Sequence, residues 1–113
     1  MTAKDEWITL INNLGGDVIA GIKLKEIGTT HWNNPNSNSN NSSGFSALPG
    51  GYRWFTGYFG NIGMNCYFWS STEYNIYSAW FCSLNYFNSN VNRAHDDSYG
   101  KSDGYSVRCI KNK

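Results

Sequence analysis

The residues able to do chemistry in this sequence are few and scattered. The two histidines, His31 and His95, lie far apart in the chain. Asp96 and Asp97 are adjacent, so on a strand their carboxylates would point to opposite faces and could not act on one substrate as a pair. No nucleophile elbow, zinc-protease helix or phosphate-binding glycine loop occurs. The sequence therefore predicts a protein that is not an enzyme, and it leaves open only a Cys–His pair assembled by the fold.

The three cysteines, Cys66, Cys82 and Cys109, are an odd number at irregular spacing. They form no CxxC pair and none stands beside a histidine, so no zinc site and no cofactor is expected. We expect all three to act as small, half-buried apolar residues. At least one thiol stays free unless it pairs outside the chain.

The composition favours a contact surface. Aromatic residues make up 17 % of the 113 residues and charged residues only 15 %, against about 25 % charged in typical domains. Tyr, Asn, Ser and Gly together are typical of antibody-like paratopes, because they combine contact area with adaptable hydrogen bonding. A polar, loop-rich β domain without a ligand would have the same composition, so this alternative stays open.

Charge and hydropathy argue against two kinds of partner. The net charge is +1 without a basic cluster, so nucleic acid is not expected to bind. No apolar run approaches the roughly 20 residues of a membrane span, and the start, MTAKDEW, has no signal-peptide core. We expect either a cytosolic chain or a piece of a longer exported or phage-borne protein, and the second alternative is favoured.

The first quarter of the chain is expected to be helical. A helix is predicted over residues 2–14, capped by Thr2 and ended by Gly15–Gly16. Asp17 is expected to cap a second, shorter helix over residues 18–27. The first helix carries an apolar face at helical spacing: Trp7, Ile11 and Leu14.

The rest is expected to form a loop and then short strands. Residues 28–43 are rich in Asn and Ser and predict a loop. Residues 79–87 alternate, which predicts a strand with Trp80, Cys82, Leu84 and Tyr86 inside and Phe81, Ser83, Asn85 and Phe87 outside. A last strand is expected over residues 105–110. The predicted core therefore contains Trp7, Trp69, Trp80, Leu84, Val107 and, as an open choice, Trp54.

Several segments carry a family likeness when they are taken together. They are DEWITLINNLGG (5–16), KLKEIGTTHW (23–32), GFSALPGGYR (44–53), FWSSTE (68–73), VNR (91–93) and GYSVRCIKN (104–112). In this combination the chain resembles the Fibrobacter succinogenes major paralogous domain from about residue 5 to its end.

The resemblance implies a fold and a setting. The family is allied to C-type lectin-like folds and to the formylglycine-generating enzymes. It implies an α+β class domain over residues 1–113, with two N-terminal helices packed on a small, irregular, mostly antiparallel β assembly with long loops. Such domains occur in secreted or surface proteins of Bacteroidetes and related gut bacteria. Members generally carry a further N-terminal portion ending in a Cys-Pro-x-Gly-Trp-His-type segment, so a partner for Cys109 and an export signal are expected to be missing here.

Some similar domains are the variable proteins of diversity-generating retroelements, including those of phages. Mutagenesis at template adenines converts Asn codons into codons that cannot encode Trp, Lys, Glu, Gln or Met. Between Tyr74 and Asp103 only Trp80 and Lys101 fall outside the reachable types, whereas Met64 shows that positions nearby do not all fit. The resemblance thus implies a hypervariable ligand-binding surface.

We therefore expect a ligand-binding module for a protein or a glycan, located on a cell surface, in the medium or on a phage particle. A structural domain of a surface or fibre protein is the alternative, and an enzyme of the formylglycine-generating type is less favoured. The predicted contact residues are Tyr67, Tyr74, Asn75, Tyr77, Phe81, Ser83, Asn85, Phe87, His95, Asp96 and Tyr99.

Overall fold

Two short helices precede a β-rich half, and a long irregular segment joins them. The structure is a computed structural model that describes residues 2–36, 39–95 and 100–109. It confirms the expected α+β class, with two helices and antiparallel sheets. In chain order the elements are α1 (Lys4–Asn13), α2 (Ala20–Leu24), β1 (Tyr52–Arg53), β2 (Phe59–Gly60), β3 (Asn65–Asn75), β4 (Ser78–Asn85), β5 (Asn92–His95) and a 3₁₀ turn (Gly100–Ser102).

Helix α1 begins later than predicted and has a different cap. Ala3 occupies the N-cap position, and its N–H donates to the Glu6 carboxylate at 2.8 Å. The Thr2 hydroxyl instead donates to the carbonyl of Arg108 at 2.8 Å. The prediction that Thr2 caps the helix was therefore wrong, because the end of the chain runs beside its start and takes that hydroxyl.

The apolar face of α1 and its end agree with the sequence pattern. Trp7 and Ile11 are buried, and Leu14 packs against the same core. The helix ends at Asn13, and Gly15 and Gly16 follow with φ of +103° and +94°. Such left-handed conformations favour glycine, which explains why the helix stops there.

Helix α2 is shorter than the predicted 18–27. It covers only Ala20–Leu24, and Ile19 rather than Asp17 lies at its N-cap. Asp17 does not cap the helix because its carboxylate is paired with Arg93 of β5. Val18 and Ile27 are exposed, so the apolar residues at the ends of the predicted helix contribute little burial to stabilise further turns.

Strand β4 is the centre of a three-stranded antiparallel sheet, with β3 and β5 on either side. Cys66 faces Leu84 and Phe68 faces Cys82 across the β3–β4 pair. On the free side of β3 runs the C-terminal segment, where the Ser106 N–H donates to the Tyr67 carbonyl at 2.9 Å. That contact is an isolated parallel bridge between Phe68 and Ser106. The prediction of a last strand was therefore wrong for residues 105–109, and residue 110 lies outside the described residues.

The core lies between the two helices and the inner side of β3 and β4. The Trp32 indole is buried there, and its Nε1–H donates to the Ala47 carbonyl at 2.9 Å, which anchors the long irregular segment. No helix in the described ranges is both long and apolar enough to cross a bilayer. The buried apolar residues of the core are Trp7, Ile11, Ala20, Leu24, Trp32, Ala47, Cys66, Phe68, Cys82, Leu84 and Val91.

The alternation predicted over 79–87 is correct in phase but not for every side chain. Cys82 and Leu84 are buried and Phe87 is exposed, as predicted. Phe81, expected outside, and Tyr86, expected inside, are both half-buried. Ser83 and Asn85 are also buried, so their expected exposure was wrong. Ser83 lies in the central strand between its register partners on β3 and β5, whose longer side chains shield it.

Asn85 is buried because it organises the turn that follows β4. Its Oδ1 accepts hydrogen bonds from the N–H groups of Phe87 at 3.0 Å and Asn88 at 2.9 Å. Its Nδ2 donates to the Asn88 side chain at 2.9 Å. Its polar groups are thus used by the protein itself, which explains why it is not a surface residue.

Four residues predicted for the core lie nearer the surface. Trp69 and Trp80 are only half-buried, while Val107 and Trp54 are 46 % and 49 % exposed. Val107 lies on a segment that pairs with β3 from its edge and is not covered by the helices. For Cys66 and Cys82 burial is complete rather than partial, whereas Cys109 is exposed, so half-burial was wrong for all three.

Candidate functional site

Aromatic rings cover the side of the β3–β4 hairpin that faces away from the helices. Tyr67 and Trp69 alternate with the core residue Phe68 and therefore point to the outer side. Phe81 of β4 lies opposite Trp69 in the register. We use the name aromatic face for the seven residues whose rings are connected there: Tyr52, Trp54, Tyr58, Tyr67, Trp69, Phe81 and Tyr105.

Tyr105 is the hub of this face. Its ring centroid lies 4.3 Å from that of Trp69, 5.0 Å from Tyr67 and 5.2 Å from Phe81. The hydrogen bonds between Ser106 and β3 hold the segment in this place. The C-terminal segment thus contributes a ring to a surface that is otherwise built by the hairpin.

The face continues from β3 onto the β1–β2 pair. The Tyr52 ring lies 5.6 Å from Tyr67 and 5.9 Å from Trp54, and Trp54 lies 6.3 Å from Tyr58. Trp54 and Tyr58 are 49 % and 63 % exposed. Burial raises the pKa of Tyr67, so its phenol stays a neutral hydrogen-bond donor at ordinary pH. The face therefore grades from half-buried rings at the sheet to open rings at its rim.

The sequence reasoning missed four members of this face: Tyr52, Trp54, Tyr58 and Tyr105. Trp54 had been an open choice for the core, and the others had no assigned role. A usable signal was present, because Tyr52 and Trp54 alternate beside the glycine-bounded β1–β2 turn. Nothing local marks Tyr105, which reaches the face only through tertiary pairing.

Four of the predicted contact residues gather at the tip of the β3–β4 hairpin and on β5. The Tyr74 and His95 rings stack with centroids 3.5 Å apart and planes at 13°. Asn75 accepts a hydrogen bond from the Tyr77 N–H at 2.8 Å, and the Tyr77 side chain is exposed. The tip thus presents Tyr74 and Tyr77 to solvent. The Tyr74–His95 stack lies next to the half-buried Trp80, whose ring lies 4.7 Å from His95.

The remaining predicted residues do not form one site. Tyr67 and Phe81, 5.9 Å apart, belong to the aromatic face. Phe87 is exposed at the other end of β4, where its ring contacts Tyr86 at 5.4 Å. Ser83 and Asn85 are buried, as described above. Asp96 and Tyr99 lie outside the described residues.

The titratable side chains determine whether the described residues contain a reactive nucleophile or a metal site. Burial raises the pKa of the Cys66 and Cys82 thiols to about 12, so both are protonated at physiological pH and are poor nucleophiles. His31 is exposed and its Nδ1 lies 2.8 Å from a Glu26 oxygen. In the part of the chain that the structure describes, no three His, Cys, Asp or Glu side chains cluster as metal ligands.

Comparison with known proteins gave a match at the level of the family. No curated protein and no solved structure matched significantly. The sequence profile of the Fibrobacter succinogenes major domain matches residues 1–111, which is nearly the whole chain and includes both helices, the aromatic face and the hairpin tip. The chain therefore belongs to the Fibrobacter succinogenes major domain family.

Proposed function

We propose that the protein is a ligand-binding module of C-type lectin-like fold that uses the aromatic face as its contact surface. The observation that carries this proposal is the set of seven connected rings on the side of the sheet away from the core, with Trp54 and Tyr58 about half exposed or more. Its ligand is a protein or a glycan met outside a bacterial cell or on a phage particle.

The physical argument starts from the cost of exposing such rings. Contiguous apolar patches are rare on monomeric proteins unless they bind something. Tyr and Trp supply large contact area while losing little conformational entropy, and they dominate the energetics of interfaces. The ring contacts of Tyr52 with Trp54 and Tyr67 hold the exposed rings in position, which lowers the entropic cost of binding.

A binding assay on a printed panel of bacterial surface glycans and surface proteins tests this role. The parent is expected to bind at least one component. The double variant Trp54→Ser/Tyr58→Ser is expected to bind it at least about 30-fold more weakly, since a single hot-spot side chain contributes about 2 kcal/mol or more.

Phe87→Ser provides the matched control, because Phe87 is a similarly exposed ring (60 %) away from the aromatic face. It should retain the affinity of the parent. Failure of the parent to bind any component, or equal losses in the double variant and the control, would contradict the proposal.

The proposal includes diversification of the surface by a retroelement. Tyr74 and Tyr77 at the hairpin tip are exposed and of reachable types. Residue types that adenine mutagenesis can produce also occur at the buried Cys82 and Leu84. The codon pattern by itself therefore does not distinguish surface residues from buried ones. Variation should therefore be confined to the exposed part of the window.

Sequencing this gene from many cells of one population tests that expectation. Substitutions are expected at Tyr74 and Tyr77 and not at Cys82 or Leu84, with a reverse transcriptase gene and a near-identical template repeat nearby. Uniform sequences with neither neighbour would remove diversification and leave the binding role to the assay above.

A further inference from the structure

An open cleft lies on the opposite side of the sheet from the aromatic face. Its volume is about 480 Å³, within the range of roughly 300–1,000 Å³ that is typical of small-ligand sites. Trp80 belongs to the same side of β4 as the core residue Cys82, whereas Phe81 belongs to the aromatic face. The polar and aromatic residues that line the cleft are Lys4, Asp17, Trp80, Asn90, Asn92 and Arg93. Asn92 lines it by its backbone, because its side chain follows its register partner Ser83 to the other side of the sheet.

Main-chain hydrogen bonds join the two walls of the cleft, which are residues 17–21 and residues 89–91. The Val91 N–H donates to the Asp17 carbonyl at 2.6 Å, and the Gly21 N–H donates to the Ser89 carbonyl at 2.9 Å. A Cβ atom at Gly21 would come within 2.5 Å of the Ser89 oxygen, so glycine permits this approach. The cleft is therefore held in its shape before any ligand arrives.

Among the described residues that line the cleft, one cation has no carboxylate partner. Arg93 Nε and Nη2 donate to the two Asp17 oxygens at 3.0 Å and 2.8 Å, so these charges neutralise each other. The Lys4 ammonium lies 4.0 Å from the centroid of the Trp80 ring. Within the described ranges, Lys4 makes no ion pair with a carboxylate. An anionic group could meet this ammonium above the indole.

The other lining groups suit a ligand rich in hydroxyl groups. The Asn90 amide offers donors and an acceptor, and the Asp17 carboxylate keeps lone pairs beyond those used by Arg93. A highly phosphorylated ligand would require several unpaired cations, and an apolar ligand would require a mostly apolar lining. One cation without an ion pair to any described carboxylate, beside an amide and the Asp17 carboxylate, matches neither.

We propose that this cleft binds an acidic sugar unit, with the ligand carboxylate on Lys4 Nζ and its hydroxyl groups on Asn90 and Asp17. The Trp80 indole lies beneath this ammonium and forms the apolar wall at that end of the cleft. The site is separate from the aromatic face and does not depend on that face having a ligand.

Titration of the ¹⁵N-labelled chain with galacturonate, followed by NMR, tests the proposal. Galactose, which lacks the carboxylate, and acetate, which lacks the sugar ring, are titrated at equal concentrations. They separate the contributions of the sugar ring and of the charge to binding. Galacturonate is expected to shift the Trp80 indole signal and the side-chain amide signals of Asn90 at millimolar concentration. Galactose should bind about fivefold more weakly, the size of one partly exposed ion pair, and acetate should leave the amide signals in place.

Two variants and one control complete the experiment. Lys4→Met should reduce galacturonate binding to the level of galactose, and Asn90→Ser should weaken both sugars. Lys101→Met should behave as the parent, because Lys101 pairs with Glu73 away from the cleft. Dispersed spectra show that each variant is folded.

Several outcomes would overturn the assignment. They are equal binding of galactose and galacturonate, acetate shifts that match those of galacturonate, no shifts at millimolar sugar, and shifts centred on Tyr67 and Trp69. None of them bears on the binding role of the aromatic face except the last, which would place the sugar there.

Discussion

Lys25 is a charged residue placed where charge is costly. Its side chain is fully buried, and its Nζ donates to the carbonyls of Asn85 at 2.9 Å and Asn88 at 3.1 Å. The Trp32 ring lies 5.4 Å from the ammonium. These contacts tie the end of α2 to the turn after β4. Burial nevertheless lowers the pKa of Lys25 from 10.5 to about 8, because desolvation disfavours the charged form.

The stability of the protein should therefore rise from pH 8 to pH 9. In that interval the unfolded chain still binds the Lys25 proton and the folded protein releases it, which by itself raises the free energy of unfolding by up to about 1.4 kcal/mol per pH unit. The thiols of Cys66 and Cys82 begin to ionise in the unfolded chain in the same interval, so the net rise is about 0.3 kcal/mol. Above pH 9 it should fall, since burial raises the pKa of the Cys66 and Cys82 thiols from 9.0 to about 12. Unfolded thiols ionise there while folded thiols do not. Urea unfolding at pH 7–11 measures the curve.

Lys25→Met is the matched control for that curve. It keeps much of the buried volume and removes the titrating group, so the rise between pH 8 and 9 should disappear while the fall above pH 9 remains. A parent curve that declines steadily from pH 7, or a rise that persists in the variant, would show that Lys25 is not responsible.

At the level of elements, the turn before β1 decides how the β1–β2 pair meets the main sheet. Gly51 has φ of +65°, and its N–H donates to the Asn65 carbonyl at 2.8 Å. A Cβ atom at this position would overlap the carbonyl oxygen of Gly60 on β2. Glycine is required there for both conformation and space, and the aromatic face spans the joint that it makes.

Gly51→Ala should therefore destabilise the fold, and the adjacent Gly50→Ala should not. Strain and overlap together are expected to cost about 3 kcal/mol or more at Gly51. At Gly50 the nearest atom to an added Cβ is the Ser106 hydroxyl at 3.4 Å, so the change should stay within about 1 kcal/mol. Urea unfolding of both variants measures the difference, and similar free energies of unfolding would contradict this account of the turn.

At the scale of the whole molecule, the two sides of the sheet have different roles. Its inner side is covered by the helices and holds the buried core, whereas its outer side and hairpin tip carry rings that solvent reaches. Trp7 is 3 % exposed and its ring packs against Phe45 and Phe68. Tyr74, Tyr77 and Phe87 are about half exposed or more. Stability and surface chemistry should thus vary independently.

The triple variant Tyr74→Ser/Tyr77→Ser/Phe87→Ser tests this separation against Trp7→Ala. The triple change should cost about 2 kcal/mol at most, the main loss being the ring stack of Tyr74 on His95. Trp7→Ala should cost about 3–5 kcal/mol, as for a buried aromatic residue. Thermal unfolding compares them. Equal losses would mean that the tip aromatics belong to the folding core. Phe81 and His95 stay unchanged because both are half-buried among other rings.

The features that the sequence predicted correctly are those specified by near neighbours in the chain. The apolar face of α1, its end at Gly15–Gly16, the loop over the described residues 28–36 and 39–43, and the phase of β4 at Cys82 and Leu84 all follow from local periodicity and backbone preference. The family could be recognised for a related reason, because several short segments match it in order along the whole chain.

The features that could not be read from the chain depend on partners distant in sequence. Burial of Asn85 depends on the turn that it organises beneath Lys25, and Tyr105 joins the aromatic face because residues 105–108 run beside β3. The cleft arises where α1, the 17–21 segment and β5 converge. Local pattern shows which side of a strand is apolar, but packing determines what covers each side. Only the folded chain therefore separates the rings that form the core from those that face solvent.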